Sequence, residues 1–426
     1  MTIAYVVSRY PAISHTFVLR EVLALRAQGV RVHTFSVRAA RRAELLTPAD
    51  QHEASQTINL QPINVPLLIA THARAFFTRP IRYLKTVAGA IRTARPGIRG
   101  RIWGVFYFLE AILLFEHCRR LKIRHLHAHF ANVSADLARL AKQFGGTGWT
   151  WSFTMHGPTE FYDEEKFNLA RKVNDADAVM CISDFCRSQL MMLCPPNAWE
   201  KLQVVHCGID PAIFAPTARA VSVDAPVRVL CVGRLVPEKG QSVLLQALAA
   251  LRAKGRSLHL TLIGGGPEEA SIKQMVDQLG LRDFVTLAGP QSADAVRDAY
   301  RAADIFCLAS FAEGVPVVLM EAMASGLPVV ATKIMGIPEL VDAGGILVAP
   351  GRVDELAAAL ERLALDPALR ERMGEAGRSK VETSFNSVTE AHKLRLIFAA
   401  FDATHATPDE TQIIAAAPEP VLAEVA

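Results

Sequence analysis

The sequence predicts an α/β protein built of two Rossmann-like halves, each around a parallel sheet, and three observations carry that expectation. The chain opens as strand, helix, strand: IAYVVS (3–8) is an apolar run of the buried type, a helical stretch follows over about 16–28 and stops at Gly29, and VRVHTFSV comes next. Strands joined by a crossover helix lie parallel. The same grammar restarts at 227–251, where VRVLCV passes through a loop into QSVLLQALAAL, and LHLTLI follows at 258. Finally, 426 residues exceed what one ordinary core organises, so two domains are expected.

Composition narrows the class. At 51% hydrophobic and 21% charged residues the chain is globular. Lys+Arg exceeds Asp+Glu by 46 − 42, a net charge of +4, which without a local patch gives no argument for nucleic acid. The seven cysteines form no CxxC pair, and Cys181, Cys231 and Cys307 lie inside apolar strand-like runs; this usage suits a reducing cytoplasm. MTIAYVVSRYP starts directly as a strand, with no signal-peptide layout. The most apolar run, Ile102 to Phe115, is 14 residues long and contains Glu110, too short to span a bilayer.

In the first half, the loop after the opening strand reads SRYPAISHTF, which puts Ser14 and His15 near the cleft as acceptor-side candidates. Residues 54–109 hold no Asp or Glu but eight Lys/Arg: Arg74, Arg79, Arg82, Lys85, Arg92, Arg95, Arg99 and Arg101. Behind Pro80, Ile81, Leu84, Ala88 and Ile91 share a helical face with Arg82, Lys85 and Arg92 to one side. Either this is a solvated helix pair covering the sheet, or it is a patch for an anionic membrane surface. IRHLHAHF (123–130) is a strand with His125, His127 and His129 on one face by period two. Three alternating histidines raise a zinc site, but no acid or cysteine follows at ligand spacing, so no metal is expected. His129 at the strand's carboxyl end is a cleft candidate, and WTWSFTMHG (149–157) brings His156 to a similar place. Asp175-Ala-Asp177 precedes the strand AVMCIS, at the edge away from a parallel sheet's ligand side, which makes these acids helix-end and turn residues. The Pro- and Ala-rich stretch 211–226 is the expected linker between domains 1–215 and 216–385.

In the second half, the loop GRLVPEKG puts Gly233, Arg234 and Lys239 at a strand's carboxyl end. GGGP, with Gly266, is by itself a weak phosphate-loop signal and reads as a tight turn; VTLAGPQ (285–291) carries Gly289. DIFCLAS then feeds SFAEGVPVVLMEAMASGLPVVAT (310–332). Pro316 suits a first helical turn and Gly326 a helix end. From Val315 to Thr332 the only charge is Glu321, a carboxylate that an apolar helix keeps at a cost of several kcal/mol (roughly) unless something binds it. At about 1.5 Å rise per residue, Glu313 and Glu321 address points roughly 8 Å apart, suited to two rings of one extended ligand. The plainer alternative makes Glu313 a charge facing the helix N-terminus and Glu321 the buried partner of some arginine. Two helices are expected over 352–382, another near 387–402, and from His405 onward an aperiodic tail without a core.

The sequence E-x7-E with internal G-V-P, followed by E-A-M-A-x-G-x-P-V-V-A-T, resembles the signature of family 4 retaining glycosyltransferases. The resemblance covers residues 1–402 and is strongest over 227–345. The Y-P-x-x-S-x-T-F opening resembles that of bacterial exopolysaccharide transferases of the colanic-acid kind, and it lacks the glycine pair common at this place in the family. Met335 stands where many relatives have a glycine. The resemblance implies a GT-B fold, with the acceptor domain first, the donor domain second, and a helix at 386–404 returning to the first domain. It gives Arg234 and Lys239 to the diphosphate, Glu321 to the ribose, and Glu313 and His156 to the sugar. Gly233, Gly266 and Gly289 would line the donor cleft, with the backbone N–H groups of Gly314 and Val315, before Pro316, assisting. Fixed cations can stand in for a metal at a leaving diphosphate, so metal-independent hexose transfer is expected, from a UDP-sugar rather than a GDP-sugar. The acceptor would be a saccharide, lipid-linked at the inner face of the cytoplasmic membrane. Two rivals are a nucleotide-sugar epimerase on a similar plan and a non-catalytic, membrane-associated nucleotide-binding scaffold.

Overall fold

The computed structural model describes residues 1–12, 16–45, 47–216 and 225–403. Two parallel sheets form its frame. The first holds β1 (Thr2–Arg9), β2 (Arg31–Arg38), β3 (Ile58–Gln61), β4 (His125–His129), β5 (Thr150–Met155), β6 (Ala178–Cys181) and β7 (Leu202–Val204), in the order β3-β2-β1-β4-β5-β6-β7. The second holds β8 (Val227–Val232), β9 (Leu258–Ile263), β10 (Val285–Gly289), β11 (Ile305–Leu308), β12 (Val329–Thr332) and β13 (Gly345–Val348), in the order β10-β9-β8-β11-β12-β13. The strand order reverses between β1 and β4 in one sheet and between β8 and β11 in the other. In open α/β sheets such a switch point leaves a crevice at the strands' carboxyl ends, where ligands bind.

Helix α1 (Thr16–Ala27) links β1 to β2 and buries Val18, Leu19, Val22 and Leu25. Between β3 and β4 run three helices, α2 (Val65–Thr78), α3 (Pro80–Thr93) and α4 (Ile98–Arg120), and α5 (Val133–Gly145) follows β4. The apolar stripe of α3 faces outward, with Ile81 69% and Leu84 56% exposed, while Thr86, Gly89 and Ala90 are buried. Small residues let α3 lie close to its neighbours: a Cβ on Gly89 would come within 2.8 Å of Gln143. Two arginines of the basic segment are also structural, since Arg79 and Arg82 both donate to the Gly145 carbonyl at the end of α5.

In the second domain α6 (Gln241–Ala253) follows β8, α7 (Ala293–Ala302) precedes β11, and α8 (Val317–Ala324) lies between β11 and β12. Two further helices, Val353–Leu365 and Pro367–Ser384, match the expected pair. The last helix, α9 (Ser387–Ala403), returns to the first domain: Phe398 is buried against Tyr5, His125 and His127 on the face that also carries α1. Residues 217–224 of the expected linker and the tail from 405 lie outside the described residues.

Candidate active site

On the second domain's side, the two loops at the β8/β11 switch point meet. Lys239, from the loop after β8, places Nζ 2.5 Å from Glu313 Oε1, and Ser310 Oγ donates to the same oxygen at 2.8 Å. Gly240 holds a left-handed φ of 63°, and a Cβ there would meet the Ala309 carbonyl at 2.1 Å, so only glycine lets the loops close up. Arg234 is exposed, and its guanidinium takes no ion pair or hydrogen bond among the described residues. It is a free cation beside one that is paired with Glu313. Gly266 lines the same loops through close backbone approach, since a Cβ there would lie 2.2 Å from the Leu235 carbonyl, whereas a Cβ on Gly233 would meet only the Lys239 side chain, at 3.9 Å. Gly289, with φ 64°, ends β10 at the sheet edge.

Pro316 stands at the N-cap of α8 rather than inside its first turn, so Gly314 and Val315 precede the helix in a bend. Gly314 packs directly on the other domain, where a Cβ would come within 2.5 Å of the His156 carbonyl oxygen. Glu321, inside α8, is 9% exposed. Its Oε1 accepts from Arg20 Nη2 of α1 at 2.9 Å, and its Oε2 from the Tyr300 hydroxyl at 3.3 Å. An arginine does pair with Glu321, as the plainer alternative has it, but that arginine comes from the opposite domain. Glu313 and Glu321 therefore occupy two separate polar clusters. Met335 takes φ 44°, a backbone state that costs a side-chain-bearing residue about 1 kcal/mol or more.

On the first domain's side the polar groups turn inward. His125 and His127 each bridge two hydroxyls of β5, from Thr150 to Ser152 and from Ser152 to Thr154, at 2.8–3.0 Å. Burial, aided by the neighbouring histidines, holds the His127 imidazole well below its ordinary pKa, so it is neutral. The ladder continues from His129 Nδ1 to His156 Nε2 at 3.0 Å, and His156 Nδ1 faces Cys207 Sγ at 3.6 Å. The resemblance gives the His156 ring to the sugar, and the strand register sets His129 on the cleft. His129 instead is fully buried one layer down, because α1 covers this face of β4, with its Nδ1 on His156. Both ring nitrogens of His156 face protein atoms, with the ring packed against Phe17 and Phe130. Ser14 and His15 lie outside the described residues.

Several polar residues at this site carry no motif. Glu21, next to Arg20, accepts from the Tyr5 hydroxyl at 2.6 Å and lies 3.3 Å from His129 Nε2. The expected absence of an acid near the histidines is thus corrected by folding: Glu21, His127 and His129 have ligand atoms within 4.8 Å of one another. Glu21 and His127 already bond hydroxyls of Tyr5, Ser152 and Thr154, and His129 gives Nδ1 to His156, while its Nε2 faces Glu21 without a hydrogen bond among the described residues. Glu160 is buried, accepts the Ala131 N–H at 2.8 Å, and is pushed up to about 7 by desolvation, which that N–H and Lys172 only partly oppose. Adjacent charges at the second turn of α1 were the only sequence sign of Arg20 and Glu21. Asp175 pairs with Arg139 and Arg171, and Asp177 accepts the Trp151 N–H, so both are structural at the far edge of the sheet. From the second domain, Glu339 accepts the N–H groups of Asp184 and Phe185 at 2.7 Å each, a second polar tie between the domains.

The comparisons with known proteins agree with this architecture. The model of Glycosyltransferase Family 4 matches residues 14–213, and that of Glycosyl transferases group 1 matches residues 218–380. The chain is 32% identical over 274 residues to the amylovoran biosynthesis glycosyltransferase AmsK of Erwinia amylovora, covering 61% of this chain and 66% of that one. It is 28% identical over 409 residues to the putative colanic acid biosynthesis glycosyltransferase WcaL of Salmonella typhimurium, covering 91% of this chain and 96% of that one. Among solved structures, Anabaena HepE in complex with UDP superposes with a TM-score of 0.70 at 18% identity, over 94% of this chain and all (100%) of that one. Sucrose-phosphate synthase from Thermosynechococcus elongatus gives 0.69 at 20% identity, over 95% of this chain and 100% of that one. Two Rossmann-like sheets facing across a cleft, a returning C-terminal helix and matches to both halves of one enzyme family lead to one conclusion: the chain has the GT-B fold and belongs to glycosyltransferase family 4.

Proposed function

We propose that this glycosyltransferase moves a hexose, with retention of configuration, from a nucleotide diphosphate sugar to a lipid-linked saccharide during exopolysaccharide assembly. The observation that carries the reading is the β8/β11 switch point, where the exposed Arg234 and the Glu313-bound Lys239 flank one loop. Two fixed cations suit a departing diphosphate and remove the need for a metal. Glu313, already bonded to Lys239 and Ser310, is poorly disposed to act as a nucleophile. Front-face transfer fits better. The bond from the anomeric carbon to the diphosphate breaks, and the leaving group keeps the electron pair. The acceptor hydroxyl forms its bond on the same face and passes its proton to the departing phosphate oxygen. Glu321 would hold the ribose. UDP is favoured over GDP by family frequency. The relatives named for amylovoran and colanic acid biosynthesis support the exopolysaccharide setting. The test is incubation of the purified enzyme with UDP- and GDP-hexoses and a lipid-linked acceptor extract in excess EDTA. A glycosylated acceptor with the donor's anomeric configuration is expected. Free epimerised nucleotide sugar, an inverted linkage, or activity only with added manganese would each overturn part of the reading.

The outward face of α2–α4 supports docking at an anionic membrane surface, peripheral to the inner face of the cytoplasmic membrane. No helix among the described residues is long and apolar enough to cross a membrane. Ile69, Phe77, Ile81, Leu84, Ile98 and Trp103 are exposed, between 45% and 80%. Lys85, Arg92, Arg95, Arg99 and Arg101 lie among them without an ion pair to any described residue, whereas Arg74 approaches Glu116 at 3.8 Å. Each basic residue near such a surface is worth about 1 kcal/mol, and wedged apolar side chains add to it. Changing Lys85, Arg92, Arg95 and Arg99 to Glu should abolish sedimentation with anionic liposomes while leaving transfer to a soluble acceptor. Equal sedimentation of both proteins at low salt would remove the membrane from the proposal.

A further inference from the structure

Helix α1 sends its two adjacent charged residues in different directions. Glu21 turns inward to Tyr5 and His129, and Arg20 turns outward across the domain boundary to Glu321. The Arg20–Glu321 pair has side chains 31% and 12% exposed, and it is incomplete in one respect: Arg20 Nη1 is buried with no hydrogen-bond partner among the described residues. A buried donor without an acceptor is costly, and more so when it carries charge. A guanidinium only donates and a carboxylate only accepts, whereas a hydroxyl does both. A vicinal diol set against this pair would satisfy each group at once: its hydroxyls donate to the Glu321 carboxylate and accept from the Arg20 fork.

We propose that Arg20 is a donor-binding residue contributed by the acceptor domain, and that with Glu321 it forms a clamp across the cleft for the ribose diol of the nucleotide. The proposal rests on the ribose role of Glu321 given above and adds the partner that reads the hydroxyls' lone pairs. It also ties nucleotide binding to domain closure, because the two halves of the clamp sit on different domains. Tyr300 keeps its bond to Glu321 Oε2 and orients the carboxylate.

Calorimetry with UDP, 2′-deoxy-UDP, GDP and 2′-deoxy-GDP tests it on the wild type and on Arg20→Ala, Arg20→Lys and Glu321→Gln, with thermal unfolding as the check that each variant folds. The wild type should bind the ribonucleotide of its preferred base about tenfold or more tightly than the deoxy form. Arg20→Ala should weaken ribonucleotide binding by about tenfold and shrink the deoxy penalty towards none; Arg20→Lys, which keeps charge but not the fork, should fall between. Arg20→Ala binding the ribonucleotide as tightly as the wild type, or more tightly, would make the pair a latch of the ligand-free enzyme and overturn the clamp. Equal losses for ribo and deoxy forms would assign Arg20 to phosphate and also overturn it. If Glu321→Gln binds like the wild type, the ribose reading itself fails, a result separable from failure of Arg20 alone.

Discussion

The two walls of the cleft are built on opposite plans. The second domain's wall presents cations to the opening: Arg234 is exposed, and the half-buried Lys239 reaches the buried Glu313 where the loops meet. The acceptor wall buries its polar groups in a ladder that runs from His125 through His127 and His129 to His156, and in the buried carboxyl of Glu160. A wall that must grip charged phosphates needs cations at the surface. A wall that must hold a neutral sugar in register gains from groups whose orientation is set from behind.

The largest effect that would sharpen this contrast is expected from Lys239→Ala. Removing a fixed cation at the leaving diphosphate should lower kcat/KM by about 10²–10³ with the fold intact by circular dichroism. A loss smaller than tenfold would remove Lys239 from the transition state.

The acceptor wall is predicted to betray its burial through pH. Desolvation raises the Glu160 carboxyl to about 7, against an ordinary 4.5. Below pH 4.5 it is protonated in both folded and unfolded chains. Between 4.5 and 7 the unfolded chain releases the proton while the folded one keeps it, so stability falls as pH rises, by about 3 kcal/mol once both are ionised. Glu160→Gln should therefore gain on the wild type by about that much at pH 8 and by little at pH 4.5, read from urea unfolding. A variant-minus-wild-type difference that is flat with pH would show that Glu160 is not desolvated.

Glu321→Gln keeps the shape of the residue and removes the charge. It should weaken nucleotide binding by about ten- to a hundredfold, the worth of a charge-assisted hydrogen bond of roughly 1.5–3 kcal/mol. Unchanged calorimetric affinity would break the assignment of the donor wall. The smallest effect belongs to Met335, held at φ 44° close to the donor loop. Met335→Gly should relieve that strain and stabilise the protein by about 1 kcal/mol, and a lower melting temperature would show that the Met side chain contributes more than its backbone costs.

The donor wall was legible because its residues are close in sequence. Glu313, Glu321 and the glycines around them fall within 310–332, and the strand–loop–helix grammar alone puts Arg234 and Lys239 at a strand's carboxyl end. The acceptor wall was not, because Arg20 and Glu160 acquire their surroundings from residues far along the chain. Arg20 meets a carboxylate 301 positions away, and Glu160 meets a backbone N–H 29 positions back. The stripe of Ile81, Leu84, Ala88 and Ile91 shows a third case: periodicity groups such residues on one face, but not which way the face points.

By itself the sequence determined the alternation of strands and helices, the two-domain plan, the family motif and the loops that carry cations, since these follow from local periodicity and from residues within one supersecondary unit. Only the tertiary structure decided that Glu321 is answered by an arginine of the other domain, that His129 lies beneath His156 and not on the cleft, and that the apolar stripe of α3 looks outward. The physical reason is the same in each case. Burial and pairing are properties of the space between elements, and that space exists only once the sheets have closed on each other and each polar group has found, or lacks, its partner.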